Sequence, residues 1–150
     1  MSIPDTEKYS SMASTGPVIV VEDDLEDQEI YSDVFKELEF THEVKFFKEG
    51  QALLNYLRTT SDQPFIIITD INLSGMDGIQ LRNEICKDDY LRQKSIPFVF
   101  LTTSDGKHVL KRVYDMQVQG FFQKKTTYTS IKSQIKMIMD YWQECRHPNA

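Results

Sequence analysis

The sequence predicts an α/β fold: a five-stranded parallel sheet, doubly wound by five helices, one layer on each face. Two observations carry this. Five short apolar runs bounded by polar or turn-forming residues alternate with segments whose apolar residues recur at helical spacing. Two of those runs, Val18–Val21 and Phe65–Thr69, are continuous enough to be buried on both faces, as central strands of a parallel sheet are.

The elements follow in order. Val18–Val21 is the first strand, and Tyr31, Val34, Phe35 and Leu38 form an i, i+3, i+4, i+7 stripe that predicts the first helix. Val44–Phe47 is a second short strand, and Leu53, Leu54 and Leu57 mark the second helix. After Phe65–Thr69, a third helix carries Leu81 and Ile85. Pro97 opens a fourth strand, Phe98–Leu101, and Val109, Val113 and Met116 share one face of the next helix. Gly120–Phe122 is the fifth strand, and Ile131, Ile135, Ile138 and Trp142 define the last helix. Strands alternating with helices in this way require right-handed crossovers and a parallel sheet.

Composition narrows the function classes. A chain of 150 residues holds one domain with a full core, here spanning 17–145, with an unpatterned Ser/Thr-rich tail at 1–16 and a short tail at 146–150. Met12, just ahead of the first strand, is an alternative start to Met1. The net charge of −6 and the dispersal of Lys and Arg among acids argue against nucleic acid as a partner. No stretch reaches transmembrane length, and the N-terminus lacks the apolar core of a secretory signal. Cys86 and Cys145 lie in predicted helices without metal-ligand spacing and read as reduced packing residues, which favours a cytoplasmic location. His42, His108 and His147 have no partner at metal spacing and receive no role, His42 and His147 reading as surface or terminal residues.

The chemistry gathers at the strand ends. In an open α/β sheet, functional groups collect just beyond the carboxyl ends of the strands. The first strand supplies Glu22 and Asp23 there, the third Asp70, the fourth Thr102 and the fifth Lys124. Clustered carboxylates repel one another, and a hard divalent cation relieves that repulsion. Mg²⁺, which takes one or two carboxylates with waters and phosphate oxygens, is the expected ion. Asp70 is then a candidate nucleophile toward phosphorus, with the Thr102 hydroxyl and the Lys124 ammonium placed to meet phosphoryl oxygens.

Four segments, VVEDD (20–24), IIITDINLSGMDG (66–78), FLTTSD (100–105) and GFFQKK (120–125), together resemble the receiver domain of two-component response regulators over roughly residues 17 to 145. That resemblance implies the flavodoxin-like strand order 2-1-3-4-5, with Asp70 as phosphoacceptor. It implies Asp23 as a direct metal ligand, Glu22 acting through metal-bound water, and the Asn72 carbonyl completing the set with Asp70. Thr102 and Lys124 would bind the phosphoryl group, and Thr102 and Phe121 would act as switch residues. The implied donor is a histidine kinase or histidine phosphotransfer protein. Output would be protein contact through the fourth helix, fifth strand and fifth helix, homodimerisation near Trp142, or onward transfer. The segment KDDYLRQKSIP (87–97), with Tyr141 and Trp142, further resembles single-domain regulators paired with bacterial phytochrome kinases. One departure stands out: the family's proline after the lysine is replaced by Lys125, so the loop there either holds a costly cis bond or takes another path.

Plainer readings compete at several positions. Asp70 alone could be a turn or capping residue, and Asp24, the third acid of its run, reads as the cap of the first helix. Thr103 reads as packing and Phe121 is equally consistent with core. Lys107, Lys111, Lys132 and Lys136 read first as a solvated face. A pseudo-receiver that binds partners without phosphate is the alternative function. A phosphatase of the haloacid dehalogenase type needs a second Asp two positions after the nucleophile, and Asn72 stands there.

Overall fold

A computed structural model describes residues 16–103, 107–116 and 118–145. The expectations for Met12, for the two tails, for His147 and for the side chains of Lys107 and His108 fall outside what it describes. Five strands, β1 (Val18–Val21), β2 (Val44–Phe47), β3 (Ile66–Thr69), β4 (Phe98–Thr102) and β5 (Gly120–Gln123), form one sheet in the order β2-β1-β3-β4-β5. Every pairing is parallel.

Alternation along the strands divides the core in two. Ile19, Val21, Ile67, Phe98 and Phe100 face one side of the sheet, where α2 (Gly50–Thr59), α3 (Gly78–Lys87), α4 (Asp89–Lys94) and α5 (Lys107–Asp115) cover them. Val18, Val20, Ile66, Ile68, Val99 and Leu101 face the other, under α1 (Leu25–Leu38) and α6 (Tyr128–Glu144). Each such aliphatic side chain contributes about 1.5–3 kcal/mol on full burial. The central strands are buried throughout, whereas β2 and β5, at the sheet edges, are only partly covered, as expected for runs broken by Lys45 and Gln123. The helical stripes lie where expected: Tyr31, Val34, Phe35, Leu53, Leu54, Leu57, Leu81, Ile85, Val113, Ile131, Ile135 and Ile138 are all buried.

Two expectations are corrected. Among the described residues six helices form, not five, because Asp88 adopts an extended conformation after α3 and its carboxylate accepts from Leu91 N at 3.1 Å, starting a separate helix. With Leu91 as its one buried residue, α4 offered no periodicity to read, and Ser95 in the left-handed region (φ 49°) ends it. The face expected from the fourth helix, fifth strand and fifth helix is accordingly α5–β5–α6. His42 is buried, not surface: its ring stacks on Phe65 at 4.4 Å, with Nδ1 2.8 Å from the Gly16 carbonyl and Nε2 3.0 Å from Gln143 Oε1. Cys145 follows α6 as its C-cap, and both cysteines are free. Among the described residues, no helix is long and apolar enough to cross a membrane.

Candidate phosphoryl-transfer site

Strand register sets the site. Val21 pairs with Thr69, Thr69 with Phe100 and Thr102 with Gln123, so Glu22, Asp70, Thr102 and Lys124 emerge at one end of the sheet. Backbone bonds continue the ladder into these residues: Glu22 N donates to Phe47 O at 2.9 Å, Asp70 N to Val21 O at 3.2 Å and Lys124 N to Thr102 O at 2.9 Å. The loop after β3 is tied to the same place. Gly78 N donates to Ile71 O at 2.8 Å, and a Cβ on Gly78 would fall 2.3 Å from the Asp70 carbonyl oxygen, so only glycine fits. Asp77 and Gln80 close a capping box that starts α3 immediately afterwards.

Asp70 is 6% exposed, and both its carboxylate oxygens are engaged. Oδ1 accepts from the Thr102 hydroxyl at 2.7 Å and from Asn72 N at 3.0 Å, and Oδ2 accepts from Lys124 Nζ at 2.9 Å. Lys124 Nζ also lies 3.2 Å from both Glu22 oxygens and 3.0 Å from Asp27 Oδ2. Among the described residues there is no cis peptide, so the bond between Lys124 and Lys125 is trans. The loop takes the path open to a non-proline residue, and Lys124 still reaches Asp70.

The charges set one another. Burial raises the Glu22 carboxyl to about 8, with the Asp70 charge adding to the rise and Lys124 opposing it. Burial disfavours the Lys124 ammonium, but hydrogen bonds to Asp70 and Asp27 and the charges of Asp70 and Glu22 outweigh it, holding Lys124 well above its ordinary range. Burial likewise lifts the Tyr31 phenol, and the neighbouring acids lift it further.

The structure thus brings together Glu22, Asp70, Thr102 and Lys124. Asp23 is turned aside: its Oδ2 accepts from both the backbone N and the Oγ of Ser74 at 3.0 Å. Asn72 contacts Asp70 through its backbone N–H. Among the described residues, no three acidic, histidine or cysteine side chains are already disposed around a single metal position. Phe121 is partly buried against the core that contains Ile19 and Phe100, and it lines a cleft of about 530 Å³ between β5 and α6. Asp24 caps α1, accepting from Asp27 N at 3.0 Å. Asp27 itself was not anticipated. Its signal was its place one turn before buried Tyr31 and one turn after Asp23, a spacing that puts it on the inner face of α1.

Residues 18–136 match the model of the response regulator receiver domain. The chain belongs to the response regulator receiver family. Over 129 residues this receiver is 29% identical to the "Probable methanogenesis regulatory protein FilR2" of Methanothrix harundinacea, covering 83% of this chain and 82% of that one. It is 27% identical to response regulator Rcp1 of a Synechocystis species over 132 residues, covering 85% and 88% of the two chains. The crystal structure of the phosphorylated cyanobacterial phytochrome response regulator RcpA superposes with a TM-score of 0.78 at 26% identity, covering 86% of this chain and 94% of RcpA. The Mn²⁺-bound form of Rcp1 gives a TM-score of 0.76 at 26% identity, covering 86% and 95%. The receiver therefore has the family's flavodoxin-like fold and is similar to the phytochrome-associated regulators.

Proposed function

We propose that this receiver accepts a phosphoryl group on Asp70, in a divalent-cation-dependent reaction, from a histidine kinase or a histidine phosphotransfer protein. One observation carries the reading: a hydroxyl (Thr102) and an ammonium (Lys124) converge on opposite oxygens of one buried carboxylate at 2.7 and 2.9 Å. A carboxylate held in this way needs little rearrangement before its neighbours can meet a phosphoryl group instead. Oδ1 already accepts two hydrogen bonds, which leaves Oδ2 as the attacking atom once Lys124 swings from it to the incoming oxygens. The new bond joins Asp70 to phosphorus, the phosphorus–nitrogen bond of the donor breaks, and the imidazole leaves with the bond's electron pair.

The donor set suits a hard cation. Glu22, Asp23 and Asp70 offer carboxylate oxygens with the Asn72 carbonyl beside them, and one ammonium does not balance their charge. Bound there, Mg²⁺ would neutralise charge on the acids and on the phosphoryl oxygens. For that, Asp23, now held by Ser74, would have to join the set and Lys124 would have to give up Glu22. The Mn²⁺-bound Rcp1 and phosphorylated RcpA support both parts of the reading by similarity.

Phosphorylation adds about −1.5 to −2 charge and three acceptor oxygens, which would draw Thr102 and Lys124 inward and bias the α5–β5–α6 face that carries Phe121. Output runs from that face to a protein partner or a second copy. Exposed Met137 and Tyr141 beside half-buried Trp142 supply the apolar surface it needs. Intact mass spectrometry after incubation with acetyl phosphate and Mg²⁺ tests the core claim. A phosphoryl adduct on the wild type, absent from Asp70→Asn and abolished by chelator, is expected. No adduct would return weight to a constitutive interaction module.

A further inference from the structure

Glu22 and Asp70 each serve two purposes in the reading above, and Asp27 serves none, although its Oδ2 lies 3.0 Å from Lys124 Nζ. We propose that Asp27 is a positioning residue that keeps the Lys124 ammonium beside Asp70 when a divalent cation draws Glu22 and Asp70 to itself. The inference rests on Asp70 being the phosphoacceptor.

The three carboxylates around Lys124 are not equivalent. A cation bound by Glu22 and Asp70 weakens their hold on the ammonium and repels it directly. Asp27 is outside the expected ligand set, so its attraction for Lys124 survives cation binding. Its side chain is 38% exposed and so meets Lys124 from the solvent side, whereas Lys124 is only 11% exposed. A lysine stem has several rotatable bonds, and a fixed anion is what keeps its charge in one place.

Asp27 is itself fixed. Its backbone N–H donates to the capping carboxylate of Asp24 at 3.0 Å, and the next residue, Gln28, donates through its side chain to the Glu22 carbonyl. The start of α1 is therefore tied to the end of β1, and the Asp27 carboxylate is presented at a set distance from the strand ends. An acid in a first helical turn also favours the helix dipole, and that is the ordinary reason to find one. Glu26 supplies that effect from the same turn while pointing to solvent, so the dipole does not explain why Asp27 meets Lys124.

The test follows phosphorylation of the full chain by acetyl phosphate with Mg²⁺ in the wild type, Asp27→Asn, Asp27→Glu, Lys124→Met and the double variant Asp27→Asn/Lys124→Met. Mg²⁺ affinity is measured on each by calorimetry. Asp27→Asn is expected to slow the reaction about tenfold, short of the ~100-fold of a full misplacement, with Mg²⁺ affinity within about twofold of wild type and partial recovery in Asp27→Glu. In the Lys124→Met background, Asp27→Asn should add no further slowing. An unchanged rate in Asp27→Asn overturns the proposal, as does equal slowing in both backgrounds. A large loss of Mg²⁺ affinity overturns it too, by making Asp27 a ligand. Reductive methylation of Lys124, read by peptide mass, is the second measure and needs no phosphoryl transfer. Labelling should be several-fold faster in Asp27→Asn, and equal labelling refutes the contact. A wild type that takes no phosphoryl group would instead sink the phosphoacceptor reading, and the labelling result would still decide whether Asp27 holds the lysine.

Discussion

Replacing Lys124 with methionine removes the one ammonium held among Glu22, Asp27 and Asp70 while keeping most of the side chain's volume. Breaking a buried ion pair by removing one partner costs about 3–5 kcal/mol, because the other partner stays buried without compensation. Two of the three contacts are of that kind, since the side chains of Glu22 and Asp70 are 3% and 7% exposed. The third, to Asp27 at 38%, is discounted for solvent screening. The protein has one way to limit the loss. Burial raises Glu22 to about 8, so it is already largely protonated at neutral pH, and loss of the Lys124 charge pushes it higher still. The expected cost in chelator is therefore at the lower end of the range, about 3 kcal/mol. It is nearly constant between about pH 5 and pH 7, where Glu22 is neutral in both proteins, and larger above about pH 8, where wild-type Glu22 ionises beside Lys124. Urea denaturation of wild type and variant at several pH values measures this. Mg²⁺ should restore more stability to the variant than to the wild type, since it replaces the missing positive charge. A loss below about 1 kcal/mol that does not grow above about pH 8 would refute the reasoning, because it would mean that Lys124 is solvated and not held by buried acids.

Other outcomes follow from the same geometry. In metal-free wild type, the raised Glu22 means that the folded state binds more protons than the unfolded chain between the ordinary carboxylate range and about 8. Stability should therefore fall as pH rises across that window, which thermal melts in chelator would show. Gly78→Ala places a Cβ 2.3 Å from the Asp70 carbonyl oxygen, so denaturant titration should find it destabilised by about 1–3 kcal/mol and phosphorylation of Asp70 should slow. Ile135, 1% exposed under the sheet, should cost about 2–5 kcal/mol on truncation to Ala by the same titration. Backbone hydrogen bonds to Leu91 and the Arg58 contact hold the Asp88 carboxyl below its ordinary range, so α4 keeps that stabilisation above the usual carboxylate pKa and loses it as pH falls through the lowered one. Hydrogen exchange of α4 amides down an acid series checks this. The hydrogen bond to Glu37 pushes the Tyr128 phenol up to about 12, and Glu37→Gln should bring its NMR titration back toward about 10.

The sheet and most of the site could be read directly from the chain. The apolar runs Val18–Val21 and Phe65–Thr69 read as strands buried on both faces, and polar side chains at the ends of successive strands are expected to gather at the carboxyl edge of the sheet. That is why the meeting of Asp70, Thr102 and Lys124 was to be expected from sequence, as the structure has it. Asp27 was not, because its meaning depends on an ammonium 97 residues away that reaches it only after β5 is laid beside β4. Asp23 was read as a metal ligand, and its contact with Ser74, 51 residues on, depends on how the loop after β3 folds back over β1. His42 read as surface because its neighbours are polar; its stacking on Phe65 and its contact with Gln143 exist only once α6 has docked. The one missed helix, α4, is held by a cap and a single buried leucine, signals too short to show a period.

Local sequence therefore determined which residues stand at the strand ends, since periodicity and run length are properties of neighbouring residues. The tertiary structure decided which partner each charged group takes. The pairing of Lys124 with acids from the end of β1, from α1 and from the end of β3 is a competition among groups that meet only in the folded chain, where the low exposure of Lys124, Glu22 and Asp70 makes the contacts strong enough to choose between them.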